Sequence, residues 1–336
     1  MKIEHLNNDD PSRLQHRELI LNGLRWHCVV EGEGPLLILL HGFPYLWYEF
    51  RHQIPALAAA GYRVVAPDLP GFGGSETPTE LERGDMMHLV GDLVSMMQLL
   101  HAPSAVLIGH DAGSHIAFAA TQMRPDLFRG AVFLSSPPMP RSLAKPSVAW
   151  GEQRQRTGTR FYQDYFSSPA EAVPELDANI RTSLSSMMYS VSGSAQGQER
   201  WRLDIGVDER FLDTVHKPKV LPDWLSTRAI DYYVAEYSRA GFAAPLNLYR
   251  VRDHNWEQTA YLAGMCPTLP ALFIGGAADP ALDRFIPVYD NLERHLPGLR
   301  SKTLLDGVGH AVPEEAPERL NTLLLDFLAT LPVAAR

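Results

Sequence analysis

The pentapeptide Gly109-His110-Asp111-Ala112-Gly113 puts a carboxylate at the centre of a glycine-flanked turn between a strand-like and a helix-like run. In a G-x-nucleophile-x-G elbow the chain reverses so sharply that its flanks must be small, and the central side chain is thrust into a site. A serine there would perform acyl transfer. An ionised aspartate has no proton for a base to remove, but it can attack a saturated carbon and form an ester. The chemistry implied is alkyl transfer onto the enzyme.

Other residues with chemical potential fall just after apolar runs, where ligands bind in open α/β sheets. His41-Gly42-Phe43-Pro44 follows Leu36–Leu40. A backbone N–H from that turn, paired with the N–H of the residue after the nucleophile, would make an oxyanion hole, which assigns Phe43 and Ala112. Asp279 follows Ala271–Ile274 within Gly275-Gly276-Ala277-Ala278-Asp279-Pro280, and His310 follows Lys302–Leu305 within Asp306-Gly307-Val308-Gly309-His310. The order Asp111, Asp279, His310 is nucleophile, acid, histidine. Asp306 stands as a rival acid, although its closeness to His310 in sequence suits a turn role. The glycine-rich stretch Asp68–Ser75 lacks the Lys-Ser/Thr of a phosphate loop and reads as a structural loop on the pocket wall.

These positions need a scaffold. Leu36–Leu40, Tyr62–Ala66, Ala105–Ile108, Ala131–Leu134 and Ala271–Ile274 read as strands, with a helix at His88–Leu100, and that alternation predicts a mostly parallel sheet flanked by helices. Asn22-Gly23 between Arg17–Leu21 and Arg25–Val30 predicts a hairpin, so the sheet should begin with an antiparallel pair. From about Pro137 the strand rhythm stops for roughly a hundred aromatic-rich, helical residues, then returns through Lys302–Leu305 to an amphipathic helix at Pro317–Leu328. The fold class expected is α/β with an inserted helical cap: core over 1–137, cap over 138–255, core over 256–336. Within the cap, Ser190–Gln198 is small and polar and reads as a mobile loop.

The bulk composition narrows the partners. With 336 residues, 45% apolar and 21% charged, the chain can bury a sizeable core. A formal charge of −9 disfavours nucleic acid and anionic membranes. No apolar run approaches the ~20 residues of a bilayer span, and the polar segment Met1 to Arg13, with Asn7-Asn8-Asp9-Asp10, does not read as a signal peptide. Cys28 and Cys266 stand apart, which suggests reduced thiols in a cytoplasmic protein and neither a disulfide framework nor a zinc site.

Taken together, His41-Gly42-Phe43-Pro44, the aspartate elbow and Gly309-His310 resemble the α/β-hydrolase-fold epoxide hydrolases over nearly the whole chain. Two cap segments extend the resemblance. Phe161-Tyr162-Gln163-Asp164-Tyr165-Phe166, with Pro169 and Glu171 beyond, is similar to the family's first cap-tyrosine motif. Gly241-Phe242 with Leu246-Asn247-Leu248-Tyr249-Arg250 is similar to the second. The resemblance implies that Tyr162 and Tyr249 serve as acids, with Tyr165 three residues from Tyr162 as a competitor for that role. It also implies hydrolysis of an epoxide to a vicinal diol through an ester on Asp111, broken by water that His310 activates and Asp279 orients. The substrate is then a small epoxide with water, the protein a monomer or homodimer, and no metal or organic cofactor is required. Trp47, Met139 and Tyr165 are candidate pocket residues. Two departures bear on substrate scope: the family commonly carries tryptophan after the nucleophile and an acid after His-Gly-Phe-Pro, where this chain has Ala112 and Tyr45.

Haloalkane and fluoroacetate dehalogenases use an aspartate on the same elbow. The first would be expected to show an asparagine or tryptophan halide donor near Phe43, or tryptophan at Ala112. The second would place arginine there. A non-catalytic binding protein on this fold is the remaining alternative, and the complete set of nucleophile, acid, base and tyrosines speaks against it. A serine hydrolase would need Ser114 or another serine at an elbow the sequence does not provide.

Overall fold

A computed structural model describes residues 9–332. Asn7 and Asn8 of the polar N-terminal segment lie outside the described residues. The sheet strands are β1 His16–Leu21, β2 Leu24–Glu31, β3 Leu36–Leu40, β4 Arg63–Pro67, β5 Ala105–His110 and β6 Phe128–Leu134. A short ribbon of β7 Arg160–Phe161 and β8 Asp204–Ile205 follows, then β9 Ala271–Gly276 and β10 Leu299–Leu305. The eight-stranded sheet runs in the order β1-β2-β4-β3-β5-β6-β9-β10. β2 pairs antiparallel with both β1 and β4, and the remaining pairs are parallel.

The residue patterns explain this layout. β3, β5 and β9 are buried along their whole length, as parallel strands covered by helices on both faces must be. The hairpin turns through Asn22 and Gly23 at φ 48° and 85°, both left-handed, as the turn type favoured between two twisted strands requires. β6 and β10 begin earlier than the apolar runs that flagged them. Their opening stretches are irregular, the pairing register skipping Arg129 and Arg300, and the side chains of these two and of Ser301 stay partly or fully exposed, so hydrophobicity gives little sign of them.

The helix Ala112–Met123 leaves the end of β5 at the elbow and packs against the end of β3 so closely that a β-carbon on Gly113 would sit 1.9 Å from the Leu40 carbonyl oxygen. One on Gly109 would sit 2.2 Å from the Gly113 oxygen. The small residues of the pentapeptide are therefore dictated by backbone touching backbone.

Between β6 and β9 the chain leaves the sheet and forms mostly helices, among them Pro146–Thr157, Tyr162–Phe166, Ile180–Ser190, Thr227–Ala240, Asn247–Arg250 and Arg252–Gln258. Their aromatic faces meet the sheet at Phe43, whose ring packs edge-on against Phe166 at 5.4 Å and Tyr249 at 5.6 Å. The polar segment expected to be a mobile loop is docked over its first half. Ser192 is fully buried, and a β-carbon on Gly193 would lie 2.1 Å from the Gly307 oxygen. Its small side chains reflect close approach to the histidine loop.

Candidate active site

Asp111 adopts φ 49° and ψ −114°, a strained conformation for a residue with a β-carbon. Its surroundings enforce it. The Asp111 N–H donates to the Leu134 carbonyl at 3.2 Å, and the Ser114 hydroxyl bridges to the Gly109 carbonyl at 2.6 Å across the turn. Of the two carboxylate oxygens, Oδ2 accepts the Phe43 N–H at 3.1 Å and Oδ1 accepts from the Ser136 hydroxyl at 3.4 Å. Ala112 opens the helix, so its N–H has no intrahelical acceptor. No hydrogen bond joins it to Asp111 in this structure.

His310 Nε2 lies 3.6 Å from Asp111 Oδ1, and His310 Nδ1 lies 2.7 Å from Asp279 Oδ2. Asp279 is itself anchored, its Oδ1 accepting the Ala281 N–H at 2.8 Å. Asp306, the rival acid, is solvent-exposed. Burial works against a charge on His310, but Asp279 and Asp111 hold its proton well above the ordinary 6.5. Burial likewise opposes ionisation of Asp111, yet the hydrogen bond and charge of His310 hold its carboxyl well below the usual carboxylate range. The two form an ion pair across the site.

The histidine loop is fixed from three sides. The His310 N–H donates to Val191 of the insertion at 2.8 Å, and its carbonyl accepts from His110 Nε2 at 2.8 Å and from the Ser135 hydroxyl at 2.6 Å. His110 is in turn paired through Nδ1 with the buried Glu49 at 2.8 Å. Glu315 collects the backbone N–H groups of Gly193, Gly309 and Ala311 at 2.8, 2.9 and 3.0 Å. Burial raises the Glu315 and Glu49 carboxyls from 4.5 to about 7, against the pull of those donors. Between roughly pH 4.5 and 7 these two carboxyls hold more protons in the folded than in the unfolded protein, so their contribution to stability falls as pH rises, opposite in sign to that of His52 and His115, which burial lowers to about 4. Glu315→Gln should remove the Glu315 contribution, so that stability falls less, or rises more, with pH there than in the wild type, while the part due to Glu49 is retained. Urea unfolding at several pH values reads this directly, and slopes equal to those of the wild type would refute it.

The insertion supplies the opposite wall. The rings of Tyr162 and Tyr249 are 6.1 Å apart, and both line the cavity that contains Asp111 and His310. The Tyr162 hydroxyl accepts from Gln163 Nε2 at 2.9 Å, and the Tyr249 hydroxyl bonds to no described residue. Burial first, then the Asp111 charge, raises Tyr162 to about 12. Burial, with Tyr162 and Asp111 nearby, also lifts Tyr249 well above 10, so both phenols are protonated donors near neutral pH. The cavity is about 310 Å³, and Phe43, Ala112, Tyr45 and Met139 also line it. Trp47 and Tyr165 do not. Trp47 is fully buried behind the site, donating its indole N–H to Tyr232 at 2.8 Å. Tyr165 instead donates to the buried Glu175 at 2.6 Å.

An aspartate elbow, a histidine–acid pair and two insertion tyrosines share one cavity. Residues 35–317 match the family model described as the alpha/beta hydrolase fold. Epoxide hydrolase A of Mycobacterium tuberculosis is 38% identical over 313 residues, covering 92% of this chain and 96% of that protein. The chain belongs to the α/β-hydrolase-fold epoxide hydrolases. An epoxide hydrolase of Caballeronia sordidicola is 32% identical over 98% of both chains. Among solved structures, an epoxide hydrolase from an endophytic Streptomyces superposes with a TM-score of 0.90 at 36% identity, covering 94% of this chain and 95% of that one. Epoxide Hydrolase A from Mycobacterium thermoresistibile gives 0.87 at 39%, covering 95% and 99%.

Within this epoxide hydrolase the two departures from the family pattern are accommodated locally. Tyr45 is buried edge-on to His110 at 5.2 Å, and its hydroxyl has no hydrogen-bond partner among the described residues. Ala112 is among the residues lining the cavity, with His115 and Arg252 also on the wall. Neither His115 nor Arg252 stands in a motif, and nothing in the sequence singled them out. Glu315 carried only one signal, its place in the first turn after the histidine loop.

Proposed function

We propose that this epoxide hydrolase works by covalent catalysis on Asp111. The observation that carries this reading is the placement of one carboxylate oxygen in a backbone donor site while the other faces both His310 and the tyrosine-lined cavity. Oδ2, held by the Phe43 N–H, is the oxygen on which charge develops later, which leaves Oδ1 to attack. As Oδ1 bonds to a ring carbon, that carbon's bond to the epoxide oxygen breaks, and the oxygen takes a proton from the Tyr162–Tyr249 pair. The ester removes the negative charge from Asp111, one of the two groups that keep His310 protonated, so His310 gives up its proton, which restores the tyrosine that protonated the epoxide oxygen, and the neutral imidazole is then a base. His310, still oriented by Asp279, takes a proton from water as the water oxygen attacks the Asp111 carboxyl carbon. The N–H groups of Phe43 and Ala112 stabilise the oxyanion. Collapse breaks the ester bond and the diol oxygen takes the proton from His310; the second water proton, left on the Asp111 carboxyl, passes to His310, which restores the ion pair with one water oxygen on Asp111.

We take 138–255 as the cap that carries the tyrosines, and the enzyme as a cytoplasmic monomer or homodimer. The free thiols of Cys28 and Cys266 suit a reducing compartment. Among the described residues no helix is long and apolar enough to cross a membrane.

The test is product formation from terminal, aryl and disubstituted epoxides, with haloalkanes and fluoroacetate alongside. Diol should form and should fall by at least about a thousandfold in Asp111→Ala, the scale on which losing a nucleophile is felt. Halide release without diol, or diol formation that survives the substitution, would overturn the reading.

A further inference from the structure

The cavity wall is largely apolar, and among the described residues Asp111 is the only carboxylate on it. Two guanidinium groups also line it. Arg141 is engaged: its Nε and Nη2 donate to the Trp256 carbonyl at 3.2 and 3.0 Å, and it lies over the Trp256 ring at 3.8 Å. Arg252 has no hydrogen bond or ion pair to any described residue, and its Nε is buried without an acceptor. It lies 5.5 Å from the Tyr249 ring.

Arg129 also has a buried Nε without an acceptor, but its Nη1 donates to the Pro332 carbonyl at 3.2 Å, and other inward-facing arginines are paired with carboxylates. Arg51 is matched by Asp9 and Glu314, and Arg160 by Asp164, Glu171 and Ser168. The acids on the helix of Arg252 are committed elsewhere, Asp253 to Ser147 and Lys145, and Glu257 to Lys145. A half-buried guanidinium without an acceptor costs stability, and that cost is recovered when a ligand brings an anion. A planar fork with several donors matches a carboxylate, to which it bonds bidentately. His115, the adjacent cavity-lining base, is lowered to about 4 by burial and by Arg252, so it is a neutral hydrogen-bonding group and brings no competing charge.

We propose that Arg252 is a specificity residue that binds a carboxylate on the substrate, so that this enzyme favours epoxides carrying a carboxylate elsewhere in the same molecule. The inference rests on the epoxide-hydrolysing reading of Asp111 and names its substrate class. Arg252 lies 5.5 Å from the Tyr249 ring, so a carboxylate bound to it would sit beside that tyrosine on the wall of the cavity that holds Asp111.

The experiment compares terminal epoxides of unbranched carboxylic acids, over short to medium chain lengths, each with its neutral methylamide, and with styrene oxide as an uncharged reference. At the chain length that spans the site, kcat/KM for the acid should exceed that for the amide by about 10–100-fold, the range of a charge-assisted hydrogen bond, and chiefly through KM. Arg252→Met should bring the acid-to-amide ratio to one or below. Arg252→Lys, which keeps the charge and loses the fork, should give an intermediate ratio and covers the case in which the methionine variant does not fold. A wild-type ratio near one at every length, or a ratio that Arg252→Met leaves unchanged, would overturn the proposal while styrene oxide turnover left the Asp111 reading standing. Absence of diol from every substrate, styrene oxide included, would overturn both.

Discussion

Replacing His310 with glutamine should stall the enzyme as an ester on Asp111. Ring opening uses the Asp111 carboxylate and the tyrosine protons, so it does not need His310 as a base, whereas the attack of water on the ester does. General-base assistance is worth about 10²–10⁴-fold, or roughly 3–5 kcal/mol of barrier. Turnover should drop by that factor while one equivalent of substrate per site is consumed in a first burst. Mass spectrometry of the quenched variant should find the mass of one intact epoxide added to the peptide that contains Asp111. An unmodified peptide alongside lost turnover would mean that His310 acts before ring opening, and the two-step scheme would fail. Glutamine also removes one end of the Asp111–His310 ion pair. The Asp111 carboxyl should titrate at higher pH in the variant, so the burst belongs at neutral pH or above, where Asp111 remains ionised.

The double substitution of Tyr162 and Tyr249 by phenylalanine should remove the burst itself. Both phenols are buried on the cavity wall and stay protonated near neutral pH, one with its oxygen held by Gln163 and the other with no protein partner. Opening the ring without them would release an alkoxide into an apolar cavity. Losing one preorganised donor to a developing oxyanion typically costs about 10²–10³-fold, and two donors on one oxygen need not act independently. Each single variant should therefore lose about 10²-fold, and the double variant more, up to about 10⁴-fold. Phenylalanine keeps the ring contacts with Trp201, Phe166 and Phe43, so thermal stability should change little. In the background of His310→Gln, the double variant should accumulate no ester on the timescale of the single one. Turnover within tenfold of wild type would reduce the tyrosines to packing.

Some of this site could be read without coordinates because its chemistry is written in local geometry. A turn that forces Gly109 and Gly113 against backbone leaves few residue types open, and Asp111 at its centre stands out against that constraint. The positions of Asp279 and His310 after apolar runs were equally visible, since those runs are fully or partly buried strands ending at one edge of the sheet. The hairpin at Asn22-Gly23 belongs in the same class, being a demand of two positive φ angles.

Side-chain direction was not visible. Trp47 and Tyr165 looked as suitable for the pocket as Met139, and only packing shows that the first two spend their polar atoms on Tyr232 and Glu175. Ser190–Gln198 looked loose for lack of bulk, whereas its small residues are what allow it to dock against Gly307 and Gly309. The choice of Asp279 over Asp306 is a matter of 2.7 Å across residues far apart in sequence. Sequence by itself therefore determined the mostly parallel sheet and the family, and placed Asp111 in the elbow with Asp279 and His310 following in order. Tertiary structure decided which groups share the cavity, what holds the histidine loop, and that Arg252 faces the cavity with no anionic partner. The division has a physical cause: turn and strand preferences are set by neighbours along the chain, whereas pairing, burial and the placement of charge depend on groups that only folding brings together.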